Sequence, residues 1–356
     1  MNTFLNSPWA KRIIALTGVG AIAVAALAAK TTPSHGFHAA PAEQIPVYTR
    51  TVEIDGTTIA YREAGADQQD HGEPVIVLLH GFPTSSHMFR DFIPQLADEY
   101  RVIAPDYPGY GLSDAPAAAD FEYSFDTIAG MVEQLLDHVG AEHWVLYLQD
   151  YGAPIGFRLA TSHPERVAGL IIQNGNAYEE GLPDSFWGPW RQYWQDPKDQ
   201  EAINHLGSLL TLEATKWQFT HGTREPDAIS PDNWLVVQPL LDRPGNAYVQ
   251  LELALDYGNN LPRYPEWQAY LREHQPPTII TWGRHDEIFP ASGALPYLRD
   301  LPNAELHLLD TGHFALEEDG DLIAALVRRW LEREVVSRGH DSATNTDSHA
   351  SAPPRS

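Results

Sequence analysis

The stretch Trp144-Val-Leu-Tyr-Leu-Gln-Asp150-Tyr-Gly152-Ala-Pro-Ile-Gly156 most narrows what the chain can fold into. A short apolar β-type run ends at a carboxylate, and small residues with a helical pattern follow at once. That order predicts a strand, a tight turn and a helix, with the small residues letting strand and helix approach closely. Asp150 is then the exposed tip of the turn. The usual serine form of such a turn reads G-x-S-x-G, whereas this chain has Leu148-Gln149-Asp150-Tyr151-Gly152. A serine attacks a carbonyl; an aspartate is better suited to a saturated carbon bearing a leaving group, giving an alkyl ester that water then cleaves. An aspartate at a strand end is also a common turn residue or helix cap, so the rest of the chain has to decide.

On either side of this turn, β-type and helix-type patterns alternate. Thr51–Ile54 and Thr58–Glu63, separated by Asp55-Gly56, predict a hairpin. Val75-Ile-Val-Leu-Leu79 is a continuous apolar run typical of a strand buried on both faces, and it leads into His80-Gly-Phe-Pro83. A helical stretch near Met88–Asp98 precedes a strand at Arg101–Ala104, and Tyr123–Val139 is helical, with Ile128, Met131, Val132, Leu135, Leu136 and Val139 on one face. After the Asp150 turn and its helix comes a strand at Val167–Gln173. The rhythm then changes: from Tyr178 to about Tyr264 the chain is rich in Trp, Tyr, Gln and Pro, with helical fragments. Strands return at Thr278–Trp282 and Ala304–Leu309, and an amphipathic helix runs from Asp321 to about Val335. Strands alternating with helices imply a mainly parallel sheet covered on both faces, and an insertion after a central strand implies a helical lid over the strand ends, where such sheets bind ligands.

The ends differ from this middle. Lys11-Arg12, an apolar run from Ile13 to Ala29 and an Ala26-Leu27-Ala28 cleavage pattern are those of a secretory signal, with an uncleaved membrane anchor as the alternative. The expected organisation is a signal peptide or anchor over 1–28, a linker over 29–45, a first core part over 46–175, the lid over 176–264, a second core part over 265–336 and a disordered tail over 337–356. Export to the periplasm or medium follows, with membrane association if the leader is retained. The absence of cysteine in the 356 residues is compatible with export and does not require it. With 23 basic against 48 acidic residues, the chain lacks the positive surface that a nucleic-acid partner needs.

Asp150, Asp286 and His313 each follow an expected strand, so a parallel sheet brings them to one edge. Singly, each is an ordinary turn or surface residue. Together they stand in the order nucleophile, acid, histidine: His313 would activate the water that attacks the ester, and Asp286 would fix the histidine tautomer and stabilise the imidazolium.

His80-Gly-Phe-Pro83, Arg101-Val-Ile-Ala-Pro-Asp106 with Gly109-Tyr-Gly111-x-Ser113, the Asp150 turn and Asp310-Thr-Gly-His313 together resemble the aspartate-nucleophile branch of the α/β-hydrolase superfamily. That branch holds epoxide hydrolases and haloalkane dehalogenases, and the resemblance covers roughly residues 50 to 335. It implies the α/β-hydrolase fold, no cofactor or metal, and an oxyanion hole from the backbone N–H groups of Phe82 and Tyr151.

The leaving group is less plainly written. A dehalogenase of this type usually has Trp directly after the nucleophile, where this chain has Tyr151, and sometimes Asn after His-Gly, where it has Phe82. The resemblance to epoxide hydrolases implies two lid tyrosines that hydrogen-bond the epoxide oxygen. Gln192-Tyr193-Trp194-Gln195 is similar to the setting of the first, and Ala254-Leu-Asp-Tyr257-Gly-Asn-Asn260 to that of the second with a one-residue slip. The candidate donors are therefore Tyr193, Tyr257 and Tyr151, and Trp187, Trp190 and Trp194 are candidate pocket walls for a small apolar organic substrate that reacts with water. Epoxide hydrolysis is the first expectation and haloalkane dehalogenation the second. An esterase or lactonase whose aspartate activates water, and a non-catalytic binding protein on the same scaffold, remain open.

Overall fold

The computed structural model of the protein describes residues 45–67 and 74–336. The expected leader, most of the linker and the tail lie outside these residues. Strands β1 (Tyr48–Ile54) and β2 (Thr57–Ala64) form the expected hairpin, with Asp55 and Gly56 both at positive φ, the geometry its two-residue turn needs. Next along the chain are β3 (Val75–Leu79), β4 (Val102–Pro105), α1 (Phe125–His138), β5 (Trp144–Gln149), α2 (Gly152–Ser162) and β6 (Val167–Gln173). One eight-stranded sheet results when β7 (Thr278–Gly283) and β8 (Glu305–Leu309) are added, in the order β1-β2-β4-β3-β5-β6-β7-β8. β2 pairs antiparallel with β1 and β4, and the remaining pairs are parallel.

The continuous apolar strands have two cores to fill. Val75, Val77 and Leu79 of β3, with Trp144, Leu146 and Leu148 of β5, join one core, which contains the buried faces of α1 and α2. Ile76 and Leu78, with Val145 and Tyr147, point the other way into a second core. Both faces are dry, so the period-2 alternation of side chains never shows as an alternation of polarity. Helix α1 is started by Ser124, whose hydroxyl accepts from the Thr127 N–H, and it buries Ile128, Met131, Val132, Leu135 and Leu136 as its spacing predicts.

Two local expectations are corrected. The Met88–Asp98 stretch is not one helix but two 3-10 turns, Ser86–Phe89 and Ile93–Gln95, because Pro94 has no N–H to donate and its ring bars an α-helical turn before it. The last helix, α10 (Leu316–Trp330), starts earlier than Asp321 and continues into a π-helical turn at Leu331–Val336. Its first turn carries Glu317, Glu318 and Asp319, charges that suit a helix N-terminus and that also meet Arg90 and Arg224.

Between β6 and β7 the chain forms α3 (Asp184–Gln195), α4 (Gln200–Ser208), α5 (Leu212–Thr220), α6 (Asp232–Leu241), α7 (Asn246–Asp256) and α8 (Tyr264–His274). A short α9 (Tyr297–Asp300) separates β7 from β8. No helix among the described residues is long and apolar enough to cross a membrane.

Candidate active site

β5 ends in a tight turn at the sheet edge. Asp150 has φ +48, a left-handed conformation that costs an L-residue with a Cβ roughly 1–2 kcal/mol. The cost is tolerated because α2 packs down on the sheet immediately afterwards. A Cβ at Gly152 would lie 2.1 Å from the Leu79 carbonyl oxygen, so only glycine lets the helix start there.

The turn aims the Asp150 carboxylate at two backbone donors. Its Oδ1 accepts from the N–H of Phe82 and the N–H of Tyr151, each at 2.7 Å. These are the two expected oxyanion groups, and the second belongs to the first turn of α2, whose positive end adds to it. Gly81 makes the approach of the Phe82 loop possible, since a Cβ on it would sit 2.2 Å from the Asp150 Cβ. Burial pushes the Asp150 carboxyl up to about 6, against the opposing pull of His313 and the two N–H groups.

The other carboxylate oxygen faces histidine. Asp150 Oδ2 is 3.8 Å from His313 Nε2, and His313 Nδ1 donates to Asp286 Oδ2 at 2.7 Å. Asp286 is fixed further by Asn174, whose Nδ2 donates to the same oxygen at 2.7 Å, and by the Ile288 N–H on Oδ1 at 2.8 Å. Burial lowers the His313 pKa, but the charge and hydrogen bond of Asp286 and the charge of Asp150 outweigh it, so the ring holds its proton more tightly than a free imidazole. All three side chains are buried. A carboxylate held by two N–H groups, beside a histidine oriented by a second carboxylate, can attack an electrophilic carbon through one oxygen, and the histidine can then deprotonate water.

Two polar residues of this centre were not singled out from the sequence. Asn174 directly follows β6 at φ +47 and ties Asp286 to the Gly283 N–H, which its Oδ1 accepts at 2.9 Å. Gln149 lies one residue before the turn with its Nε2 at 3.0 Å from His313 Nε2. The only signal of either in the sequence is a polar amide at the end of an otherwise apolar strand. His80, by contrast, is packing: it stacks on Tyr107 at 4.0 Å, and burial pushes its pKa down to about 3.

The cavity above Asp150 has an empty volume of about 360 Å³ including its mouth. Phe82, Tyr151, Phe186, Trp187, Trp190 and Ile288 are among its walls. Of the expected aromatic residues, Tyr151, Trp187 and Trp190 therefore meet at the nucleophile. The Trp187 indole N–H is spent on the Ile288 carbonyl at 2.8 Å, while the Trp190 N–H has no partner among the described residues. Tyr193 and Trp194 are not among these walls. Both lie about 9–10 Å further along α3 than Trp187; Tyr193 is placed near the charge of Glu252 on α7, and Trp194 donates to the Ala254 carbonyl at 2.8 Å. Tyr257 is buried and is not among these walls; its ring stacks on Trp187 at 4.9 Å and lies 5.7 Å from that of Tyr151, and burial, reinforced by Tyr264 and Asp150, holds its pKa well above the usual phenol value. The Tyr151 hydroxyl has no hydrogen-bond partner among the described residues. Burial, reinforced by Tyr110, Asp150 and Asp256, holds its pKa well above the usual phenol value, so it stays a donor.

Residues 74–320 match a family described as alpha/beta hydrolase fold. An uncharacterized hydrolase of Saccharomyces cerevisiae, YNR064C, is 43% identical over 265 residues, which are 74% of this chain and 89% of the yeast protein. Haloalkane dehalogenase 2 of Mycobacterium bovis is 28% identical over 280 residues, 71% of this chain and 86% of the dehalogenase. Among solved structures, the epoxide hydrolase CorEH superposes with a TM-score of 0.64 at 21% identity, covering 81% of this chain and 99% of that one, a likeness of fold.

Proposed function

The chain belongs to the α/β-hydrolase family, and on that premise we propose that it hydrolyses its substrate through a covalent ester on Asp150, with an epoxide as the first substrate class. The observation that carries the covalent route is the division of labour between the two Asp150 oxygens. Oδ1 is held by Phe82 and Tyr151 N–H groups, and Oδ2 is left facing the cavity beside His313. Attack by Oδ2 on an epoxide carbon forms the ester bond and breaks the ring C–O bond, leaving an alkoxide that needs a proton. The Tyr151 O–H, a wall of the same cavity, supplies it. His313 then takes a proton from water, the hydroxide adds to the ester carbonyl, and the developing oxyanion lies where the Phe82 and Tyr151 N–H groups already point. Collapse breaks the bond from the ester carbonyl to the alkyl oxygen; the departing alkoxide takes the proton of the new carboxyl group, which returns Asp150 as carboxylate and releases the diol, and the proton held by His313 goes back to the Tyr151 phenolate.

Carbon–halogen hydrolysis is the second reading, and a specific observation favours it. Neither Tyr193 nor Tyr257 is among the walls of the cavity above Asp150, which leaves Tyr151 as the one tyrosine there. A halide leaves without a proton, so one donor serves it.

The test is peptide mass spectrometry on a His313→Ala variant exposed separately to epoxides and haloalkanes. With the base removed, the ester on Asp150 should persist. An Asp150 adduct from epoxides supports the first reading and one from haloalkanes alone the second; no adduct with either, while the wild-type protein cleaves simple esters, replaces the covalent route with an esterase one. Export is proposed from the 1–28 sequence alone, and N-terminal sequencing of the protein recovered from cell fractions checks it.

A further inference from the structure

The cavity above Asp150 is nearly closed. Its empty volume of about 360 Å³ includes the mouth, and the enclosed part has room for about one water. An organic substrate therefore enters only where a wall gives way. Of the residues that line the cavity, Phe186, Leu209 and Trp217 are half-buried and the others are buried, so the wall that meets solvent is made of these three. They belong to α3, to the residue that caps α4 and to α5. All three are apolar, and the way in suits an apolar molecule.

The helices on two sides of the mouth are fixed by the residues next to it. On α3, Trp187 beside Phe186 is buried, stacked on Tyr257 and hydrogen-bonded to the Ile288 carbonyl. On α5, Phe219 is buried and stacked on Phe314 at 4.2 Å, beside His313. What can move without unpacking the core is the Trp217 side chain, the largest of the three. Its ring stacks on that of His221, one helical turn further on, with centroids 4.6 Å apart and planes at 23°. His221 Nε2 lies 2.9 Å from Glu287 Oε1, and Glu287 stands between Asp286 and the cavity wall Ile288. A lid ring is thus clasped to the loop that carries the acid. The two side chains of the clasp are 38% and 65% exposed, and a pair that open to water is weak, enough to bias the ring and easily released.

We propose that Trp217 is the gate of the Asp150 cavity and sets the width of the molecule admitted, with His221 and Glu287 as positioning residues that hold its ring at the mouth. A linear chain passes the ring; a branched one needs the clasp to open. This rests on the reading that Asp150 acts on a small organic molecule, and it adds which shapes reach the nucleophile. The selectivity lies in the rate of entry, because a barrier at the mouth slows entry and exit alike and leaves affinity unchanged.

The test needs no turnover. Fluorine NMR exchange would measure the entry rates of two isomers, linear 4,4,4-trifluoro-1-butanol and branched 2-trifluoromethyl-2-propanol. The wild-type protein should admit the linear isomer faster. In Trp217→Ala the ratio of the two rates should fall about tenfold, the low end of what an apolar wall discriminates per methylene. His221→Ala and Glu287→Ala should lower it about two- to fivefold, the worth of an exposed pair, and Glu287→Gln, whose amide oxygen still accepts from His221, should restore it. A variant that is merely loosened admits both isomers faster, so the ratio reads the gate and not the fold. A ratio that Trp217→Ala leaves unchanged, one that neither clasp variant moves, or a wild-type protein that takes up neither isomer would overturn the proposal. Entry requires no ester on Asp150, so this measurement and ester trapping on His313→Ala can fail separately.

Discussion

The Gln149 carboxamide nitrogen lies 3.0 Å from Nε2 of His313, the ring nitrogen that has to take a proton from water. Because Nδ1 gives its hydrogen to Asp286, the lone pair of the neutral ring is on Nε2, and an amide N–H donates to it. Gln149 Oε1 has no partner among the described residues, so a half-turn of the amide offers an acceptor to the imidazolium instead. One buried side chain can thus meet both protonation states of the base.

Gln149→Leu should form the Asp150 ester at the wild-type rate and hydrolyse it about tenfold more slowly, as one hydrogen bond at the base is lost. Gln149→Glu places a carboxylate at the same nitrogen and favours the imidazolium, so hydrolysis should lose its base at a higher pH than in the wild-type protein. Single-turnover decay of the ester across pH measures both. An unmoved acid limb in the Glu variant would remove Gln149 from the mechanism.

Asp150→Asn should stabilise the protein at neutral pH. The folded Asp150 pKa of about 6 lies above its ordinary 3.8, so the folded state holds a proton that the unfolded chain releases between those values. Stability is therefore lost as pH rises through that window, and above it the cost is fully present, on the order of 1–3 kcal/mol. The asparagine has no such cost. Urea unfolding at pH 7 should favour the variant, and the gap should shrink toward pH 4; a gap independent of pH contradicts the assignment. The same pKa predicts that ester formation by the wild-type protein falls below about pH 6.

Tyr151→Phe keeps the backbone N–H on Asp150 Oδ1 and removes only the hydroxyl. Epoxide opening should slow roughly 10²–10³-fold, the range seen for the loss of one donor to a developing oxyanion. Rates of adduct formation in a His313→Ala background read the effect on ring opening directly. Equal rates with and without the hydroxyl would move the proton donor elsewhere.

Asn174→Ala leaves the Gly283 N–H without its acceptor and takes one donor from Asp286. Both groups are buried, so the expected loss is about 1–3 kcal/mol in urea unfolding. Ester hydrolysis should slow more than ester formation, because His313 is the group that Asp286 holds. A variant as stable as the wild-type protein would show that solvent or a neighbour replaces the amide.

Much of this architecture can be read from the chain because the signals are local. Val75–Leu79 and Trp144–Gln149 declare buried strands by composition, Asp55-Gly56 declares a hairpin by its tolerance of positive φ, and Asp150, Asp286 and His313 stand at strand ends that a parallel sheet must align. The two N–H groups on Asp150 are equally indifferent to side-chain identity, so the backbone path alone predicts them. What tertiary structure decided is which side chains meet across elements far apart in sequence. Trp187, Trp190, Tyr193 and Trp194 belong to one helix, yet only the first two line the cavity, because α7 and the Tyr257 stack occupy the space around the others. Gln149 stands at a position of the turn motif that specifies no residue type, and Asn174 belongs to no motif. Their amides matter because a partner from another strand or helix stands within hydrogen-bond reach, or because none does, and no periodicity along the chain encodes that distance.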